Sequence, residues 1–515
     1  MESMNTSGAP SSRLKKWLRV FLTFIAIIVL LGLIVYGEEN FRGHRAWVTF
    51  QNAEIAKGEN FSPAHYIPPA IPDDQNFAMT PLLRPALDYH RHSTNGVQWR
   101  DTNAWQHLSD ISIDLTVRGI SAPKFYSFES ASPIDLKAFA EFYRSNPKYP
   151  HSSKPGTAAE DVITALNKFA PDLQELREAA AARPLSRFPL EYDYEPPFAI
   201  LLPHLAPIKG ITLVCVLRAV AELDAHHTDE AWADLQVAFR LSDSVREEPF
   251  LIDHLVRVAT LNLILQGVRE GLLRHAWSDA QLAVLETNLA KIDLLTEYEH
   301  TMRGERSLNL SGVDYLRRTG QSAPDESGGK IPVLMPSGWF YQNMTLIGQS
   351  YRDYVLPAVD PVKRRVNTTL GDAMMSDLTN RRWSPYNLLA NMLMPAISKA
   401  VQRSARAQTF LDETRLACAS ERYRLQHKQW PDDLAALAPQ FIPAIPTDLF
   451  DGQPLRYKRD SKGGYQIYSI GWNGKDDGGF LLPASGPTGT DEDQGGRSHR
   501  VDPAQGDWVW SFPAP

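Results

Sequence analysis

The feature that most constrains this chain is the run from Trp17 to Tyr36. Seventeen residues, Val20 to Tyr36, pass without a charge. Coiled as a helix, about 20 residues rise about 30 Å, the thickness of a bilayer's hydrocarbon core. Arg13, Lys15, Lys16 and Arg19 precede the run, and Glu38 and Glu39 follow it. Basic residues stay on the cytoplasmic side. The N-terminus is therefore expected inside, in the cytoplasm, and everything beyond Gly37 outside the inner (cell) membrane, periplasmic or otherwise extracytoplasmic. Trp17 and Tyr36 then mark the two interfaces. A cleaved signal peptide is the competing reading, against which the run is long and Ile34-Val-Tyr-Gly-Glu38 is a poor small-residue cleavage site. No later run approaches this length. Residues 1–16 read as a cytoplasmic tail and 17–36 as a single transmembrane helix.

Beyond that helix the sequence reads as globular. The chain has 515 residues, 43% hydrophobic and 22% charged, enough for two or three domains with cores of their own. Residues 38–515 hold 49 Lys and Arg against 59 Asp and Glu. An acidic balance argues against a nucleic-acid or anionic-lipid surface. Cys215 and Cys418, 203 residues apart in apolar helical patterns, read as buried free thiols.

Residues 38–60 suggest a juxtamembrane helix with Phe41, Ala46, Trp47 and Phe50 on one side. Pro63, Pro68, Pro69, Pro72, Pro81 and Pro85 then forbid helix interiors, so residues 37–85 form a helix followed by a strap or stalk. Residues 86–382 are expected to be a mainly helical body. Within it, Ile111-Ser-Ile-Asp-Leu-Thr-Val117 alternates like a strand. Thr228 is placed to cap one helix, and Leu251, Leu255, Val258, Leu261, Ile264, Leu265 and Val268 mark another. Ser278 and Gln281 make a capping box, with Trp277 and Leu282 as its hydrophobic staple. Similar starts 50 residues apart suggest stacked helical hairpins. Residues 320–336 read as a loop and 361–382 as a polar linker.

Residues 383–515 carry the most distinctive order of features. A long helical pattern from Ala396 ends at Trp430-Pro431, because a residue before proline avoids the α region. Two strand patterns, Leu455–Arg459 and Tyr465–Ile470, are joined through Gly463-Gly464. A long helix on a small antiparallel sheet is an α+β unit. Tyr423, Trp430-Pro431, Pro443, Pro446, Asp448–Tyr457, Tyr468-Ser-Ile-Gly471 and Pro395 give this segment a resemblance to the globular domain of the major pseudopilins of type II secretion. The resemblance covers about a quarter of the chain. Pilins polymerise through a helix behind a Gly/Phe-Thr-x-x-x-Glu peptidase site, whereas Trp383-Ser-Pro-Tyr-Asn387 stands here. The domain is thus expected as a reused module, not a processed filament subunit. Glu39-Asn-Phe-Arg-Gly43, Ile71–Asn76 and Asp507-Trp-Val-Trp510 also resemble a family of membrane-anchored bacterial proteins, which lends no activity. The expected fold class is mainly α with a C-terminal α+β domain.

Major pseudopilins hold calcium in the loop after this hairpin. The resemblance implies Asn473, Asp476 and Asp477 as ligands, with Asp491 and Asp493 further on. Calcium takes six to eight oxygens, and glycines let carbonyls turn inward. A solvated Asp-Gly turn explains the same residues.

No reaction is named elsewhere. His90 and His92 lack a third ligand of readable spacing, His226-His227 suits a helix C-terminus, and Glu247-Glu248 suits a first turn. No HExxH, nucleophile-elbow, Walker or dinucleotide glycine pattern is present. Three functions are expected, one of them a calcium-dependent structural module built on Asp476 and Asp477. Of the other two, one is a non-catalytic envelope scaffold with protein partners, linked to secretion or pilus-type machinery. The other is a membrane-tethered hydrolase with its site between the helical body and residues 86–130.

Overall fold

The computed structural model describes residues 11–92, 96–115, 122–125, 128, 133–154, 156–321, 335–460, 463–483 and 501–513. It opens with one uninterrupted helix, α1, Ser11–Ile55. Its apolar stretch is long enough to cross a membrane and is wholly exposed. Further along, Gly43, Trp47, Phe50 and Glu54 are buried, spaced by four, three and four residues as one helix face requires. Phe41, expected on that face, falls off it and is 68% exposed.

The proline-rich segment is a strap lying on the body, not a stalk. It turns in short 3-10 pieces at 63–65, 77–79 and 84–87 and buries Phe77, Ala78, Leu82, Leu83 and Ala86. Asn76 ties it down: its side-chain amide donates to the Arg187 carbonyl at 2.7 Å, and its carbonyl oxygen accepts from Arg187 N–H at 2.9 Å. A hairpin follows, β1 Tyr89–His92 with β2 Gly96–Trp99, then α2 Thr102–Ser109. Residues 111–115 are not a strand. Their backbone groups are met by side chains instead: Tyr149 O–H donates to Ser112 and accepts from Leu115 N–H, Tyr143 donates to Ile113, and Asn146 donates to Leu115. The alternation is real, with Ile111 and Ile113 buried, but these side chains stand where a partner strand would pair.

The body is helical as expected: α3 Leu136–Ser145, α4 Ala158–Leu166, α5 Ala170–Ala182, α6 Leu205–Asp224, α7 Thr228–Asp243, α8 Leu251–Leu273, α9 Asp279–Ala290 and α10 Leu294–Thr319. Helices α6, α7 and α8 pack pairwise as stacked hairpins. Arg218 of α6 locks onto buried Asp234 of α7 at 2.8 and 2.9 Å. The capping box at Ser278 and Gln281 is present, with Trp277 and Leu282 buried. Thr228 does not cap; α7 starts from His227, whose side chain makes no cap bond to the helix. Helix α8 is also apolar enough to span a bilayer but is buried in the body.

Helix α11, Ser337–Ser350, lies parallel to the second half of α1 at very close range. A Cβ added to Gly43 would lie 2.6 Å from Gly338 Cα, and one added to Gly338 would lie 2.5 Å from the Glu39 carbonyl carbon. Only glycine permits this backbone approach. The Asn40 side chain accepts from Gly338 N–H at 2.9 Å, and Tyr386 O–H donates to Glu39 at 2.8 Å. Residues 361–382 are no mere linker. They hold β4 Arg365–Val366, paired with β3 Val359–Asp360, and α12 Leu370–Asn380, which buries Met374 and Leu378.

Helix α13, Leu388–Ser398, contains Pro395 and stops one residue before α14, Ala400–His427. Strands β5 Arg456–Arg459 and β6 Tyr465–Ser469 pair as expected. The hairpin β7 Leu481–Pro483 and β8 Val501–Gly506 follows. A strand missed in the sequence, β9 Trp508–Phe512, then completes the sheet in the order β5-β6-β9. Helix α14 packs on β6 and β9 and also on α8, α9 and α10. One hydrophobic core therefore runs from Trp47 to Trp510. Cys215 and Cys418 are buried free thiols in it.

Candidate functional site

Helices α6, α8 and α14 leave a cavity of about 850 Å³ between them, walled in part by Phe125 and by Pro503-Ala504 of β8. A second cavity, about 830 Å³, lies between α8, α10, α13 and residues 197–202. Leu255, Lys399 and Arg403 border both, so the two meet as one composite groove. Each is of a size typical for small-molecule sites.

The two halves differ in chemistry. The second is apolar and leaves large side chains in water: Phe198 is 57% exposed, Ile252 49% and Met392 69%. The first carries Lys209, Lys399, Arg403 and Arg406. Their positions follow from local structure. Lys399 is the single residue between α13 and α14, C-cap of the first and N-cap of the second, so the two helix dipoles oppose each other at its position. Arg403 follows four residues on, across the break one turn after Pro395, and so shares its face. Lys209 lies one turn before Leu213 on α6. Among the described residues, Lys209, Lys399 and Arg403 make no ion pair and no side-chain hydrogen bond. Arg406 is held over the rings of Phe410 and Trp508, at 5.3 and 5.8 Å. The one acid on the apolar wall, Glu305, accepts from Leu251 N–H at 2.9 Å. Burial holds its pKa above the usual carboxylate range.

Behind the wall formed by Phe250, Leu251 and Ile252 lies a closed polar cluster. Tyr192 O–H and Phe188 N–H donate to Glu248. His204 stacks on Phe188 with ring centroids 4.0 Å apart, and its Nε2 lies 3.3 Å from Asp253 Oδ1. Burial pushes Glu248 up to about 7, pushes Asp253 well up, and pulls His204 down to about 4. His204, Glu248 and Asp253 are each no more than 3% exposed and none lines either cavity. Glu248 is thus a buried acceptor, not the first-turn charge expected from its sequence position.

Asn473, Asp476 and Asp477 do come together in one turn after β6. The Asn473 amide donates to Asp477 at 3.0 Å, its oxygen accepts from Lys475 N–H at 3.0 Å, and Asp476 accepts from Gly478 N–H at 2.9 Å. The organiser is a residue not expected among the ligands. Asp507, fully buried, accepts from Asp477 N–H at 3.2 Å and Gly479 N–H at 2.6 Å. Positive φ at Gly474, Gly478 and Gly479 lets the chain wrap around it. Among the described residues no group of three or more His, Cys, Asp or Glu is gathered as a metal site. Asp491 and Asp493 lie outside the described residues. His90 and His92 sit in β1, and His227 Nδ1 lies 2.8 Å from Glu222.

Lys209, Lys399 and Arg403 were missed because isolated basic residues on helices read as solvated surface. The available signal was Lys399 and Arg403 at i, i+4 on a helix otherwise headed for the core. No protein family, curated protein sequence or solved structure matches the chain.

Proposed function

We propose that this chain is a non-catalytic binding scaffold of the cell envelope. In this reading α1 holds it in the membrane, its N-terminus is cytoplasmic and its body faces outward. The observation that carries the reading is the continuity of α1. The same helix whose first half is apolar and exposed is, without a break, built into the body by Gly43, Trp47 and Phe50. Burying an aromatic such as Phe50 contributes roughly 1.5–3 kcal/mol, and Trp47, Phe50 and Phe61 pack on one another with centroids 5.9 to 6.2 Å apart. The body would then be carried at a fixed height and orientation above the bilayer.

A scaffold fits the groove better than a hydrolase does. The cavity that includes Phe125 adjoins the 86–130 segment, yet its polar groups are cations with Asn262 and Gln402, not the converging His and carboxylates that acid–base chemistry needs. Long α14 laid on the small sheet supports the pilin-type reading of the C-terminal segment, and with it a link to secretion machinery. The test is crosslinking in the native cell, then purification through a C-terminal tag. The scaffold reading expects discrete protein partners in stoichiometric yield, among them secretion or pilus components. Partner-free protein, or turnover of an ester or peptide substrate by the pure chain, contradicts it.

A further inference from the structure

The groove has a direction, set by the helices that line it. Helix α10 runs antiparallel to α11: Arg317 lies over the Tyr341 ring at 4.9 Å, while Asn309 donates to Tyr351 O–H at 3.0 Å. Tyr341 is one turn from Gly338, which is pressed against Glu39, three residues past the apolar run of α1. The Leu316 end of α10 is therefore the end nearest that run, and the Glu305 end the farthest. Between them the apolar wall extends about 16 Å at the helical rise. Helix α13 runs opposite to α10, and its apolar residues likewise start at the end nearer that run. Tyr386 binds Glu39, Leu389 N–H donates to Asn343 of α11 at 2.9 Å, and Lys399 closes the opposite end. The near end of the apolar walls is thus level with His44, whose ring meets Tyr341 with centroids 5.1 Å apart, eight residues or about 12 Å beyond the apolar run, and Lys209, Lys399 and Arg403 gather at the far end.

We infer that this groove takes an anionic, chain-bearing lipid raised from the bilayer in which α1 sits, its acyl chain along α10 and α13 and its headgroup at Lys209, Lys399 and Arg403. The inference rests on the anchored, outward-facing reading above. Three observations select this occupant. The exposed Phe198, Ile252 and Met392 want an apolar cover. Three cations without partners among the described residues, in a chain of net charge −7, want an anion. The order of the two is that of a lipid in the outer leaflet, headgroup outward and chain toward the membrane. Movement straight along α10 would keep that orientation, so no inversion of the lipid is required. A small free anion would leave the apolar wall without a purpose. An apolar helix of a partner would leave the cations without one. The acidic overall balance argues against electrostatic adhesion to the membrane surface, and the groove localises the attraction to one headgroup.

The test uses the full chain reconstituted in vesicles that contain a trace of photoactivatable phosphatidylglycerol or phosphatidylcholine with identical chains. Labelled peptides are then mapped by mass spectrometry. The expected result is phosphatidylglycerol on peptides of α10 and α13 at no less than tenfold the phosphatidylcholine yield. Lys399→Glu with Arg403→Glu removes that preference. Ala396→Trp, which fills the groove from an exposed position on α13, removes labelling by both lipids. Thermal melts of the variants should match the parent, since none of these side chains is buried. Equal labelling by the two lipids, labelling confined to α1, or full competition by inorganic phosphate would each overturn the inference. The scaffold reading fails separately: partner capture should persist in Lys399→Glu/Arg403→Glu, and its loss there would place the protein partner, not a lipid, in the groove.

Discussion

Gly338→Ala should detach the base of α1 from the body while leaving the core folded. The added methyl would stand 2.5 Å from the Glu39 carbonyl carbon and 3.1 Å from Asn40 N. Both neighbours are backbone atoms of a helix, so no side chain can rotate away and the two helices must part. Overpacking of this kind costs roughly 1–3 kcal/mol. Parting also strains the Asn40 to Gly338 hydrogen bond, worth about 1 kcal/mol. Against these, alanine improves helix propensity by up to about 1 kcal/mol. The net is about 1–3 kcal/mol, felt locally. Native-state hydrogen exchange of residues 39–55 and 337–350 reads it directly, and that range corresponds to roughly 5- to 150-fold faster exchange. Amides of α6 and α8 should keep their protection. Gly37→Ala, in the same helix with nothing near its Cβ, is the control and should slow exchange or leave it unchanged. Equal behaviour of the two variants would refute the interlock.

Other predictions concern the buried charges and the caps. The folded chain holds a proton on Glu248 up to about pH 7, whereas an unfolded glutamate releases it near 4.3. Its stabilising contribution is therefore full below about 4.3 and is lost as pH rises through 7. His204 acts oppositely, because its depressed pKa makes its contribution fall away as pH drops from about 6.5 through 4. Glu248→Gln should thus make the slope of stability against pH more positive than in the parent between about 4.5 and 7, by up to about 1.4 kcal/mol per pH unit. Urea melts across that range would show no change in slope if the cluster were mispaired. Asp507→Ala should orphan two backbone N–H groups, cost about 2–4 kcal/mol, and free the 471–479 turn. With the turn folded on Asp507, Asp476→Ala/Asp477→Ala should melt identically in calcium and in chelator; a calcium-dependent difference would make that turn a metal site. Ser278→Ala should cost about 1 kcal/mol in a thermal melt, and no change would deny the capping box its role.

Local signals and core patterning were readable where they act within one element. The box at Ser278, the stop at Trp430-Pro431 and the β5–β6 hairpin all depend on near neighbours in sequence. Readings failed where a distant side chain took over a backbone group. Residues 111–115 alternate like a strand, but Tyr143, Asn146 and Tyr149 hold their backbone groups. Glu248 resembles a first-turn acid until Tyr192, 56 residues earlier in the chain, is seen to bond it. The pairing of Gly43 with Gly338 joins positions 295 residues apart, and neither glycine is unusual alone. The groove was illegible for the same reason. Its cations and its exposed apolar side chains come from α6, α8, α13, α14 and residues 197–202, and only their juxtaposition gives them meaning.

The most direct test of the account places a photoreactive amino acid at Met392 in the living cell, with Val362, 94% exposed, as the control position. An anchored binding protein whose working surface is the groove predicts adducts of lipid mass at Met392 and none at Val362. Equal adduct yields at the two positions, or a bare Met392 in cells that contain the protein in its membrane, would contradict it.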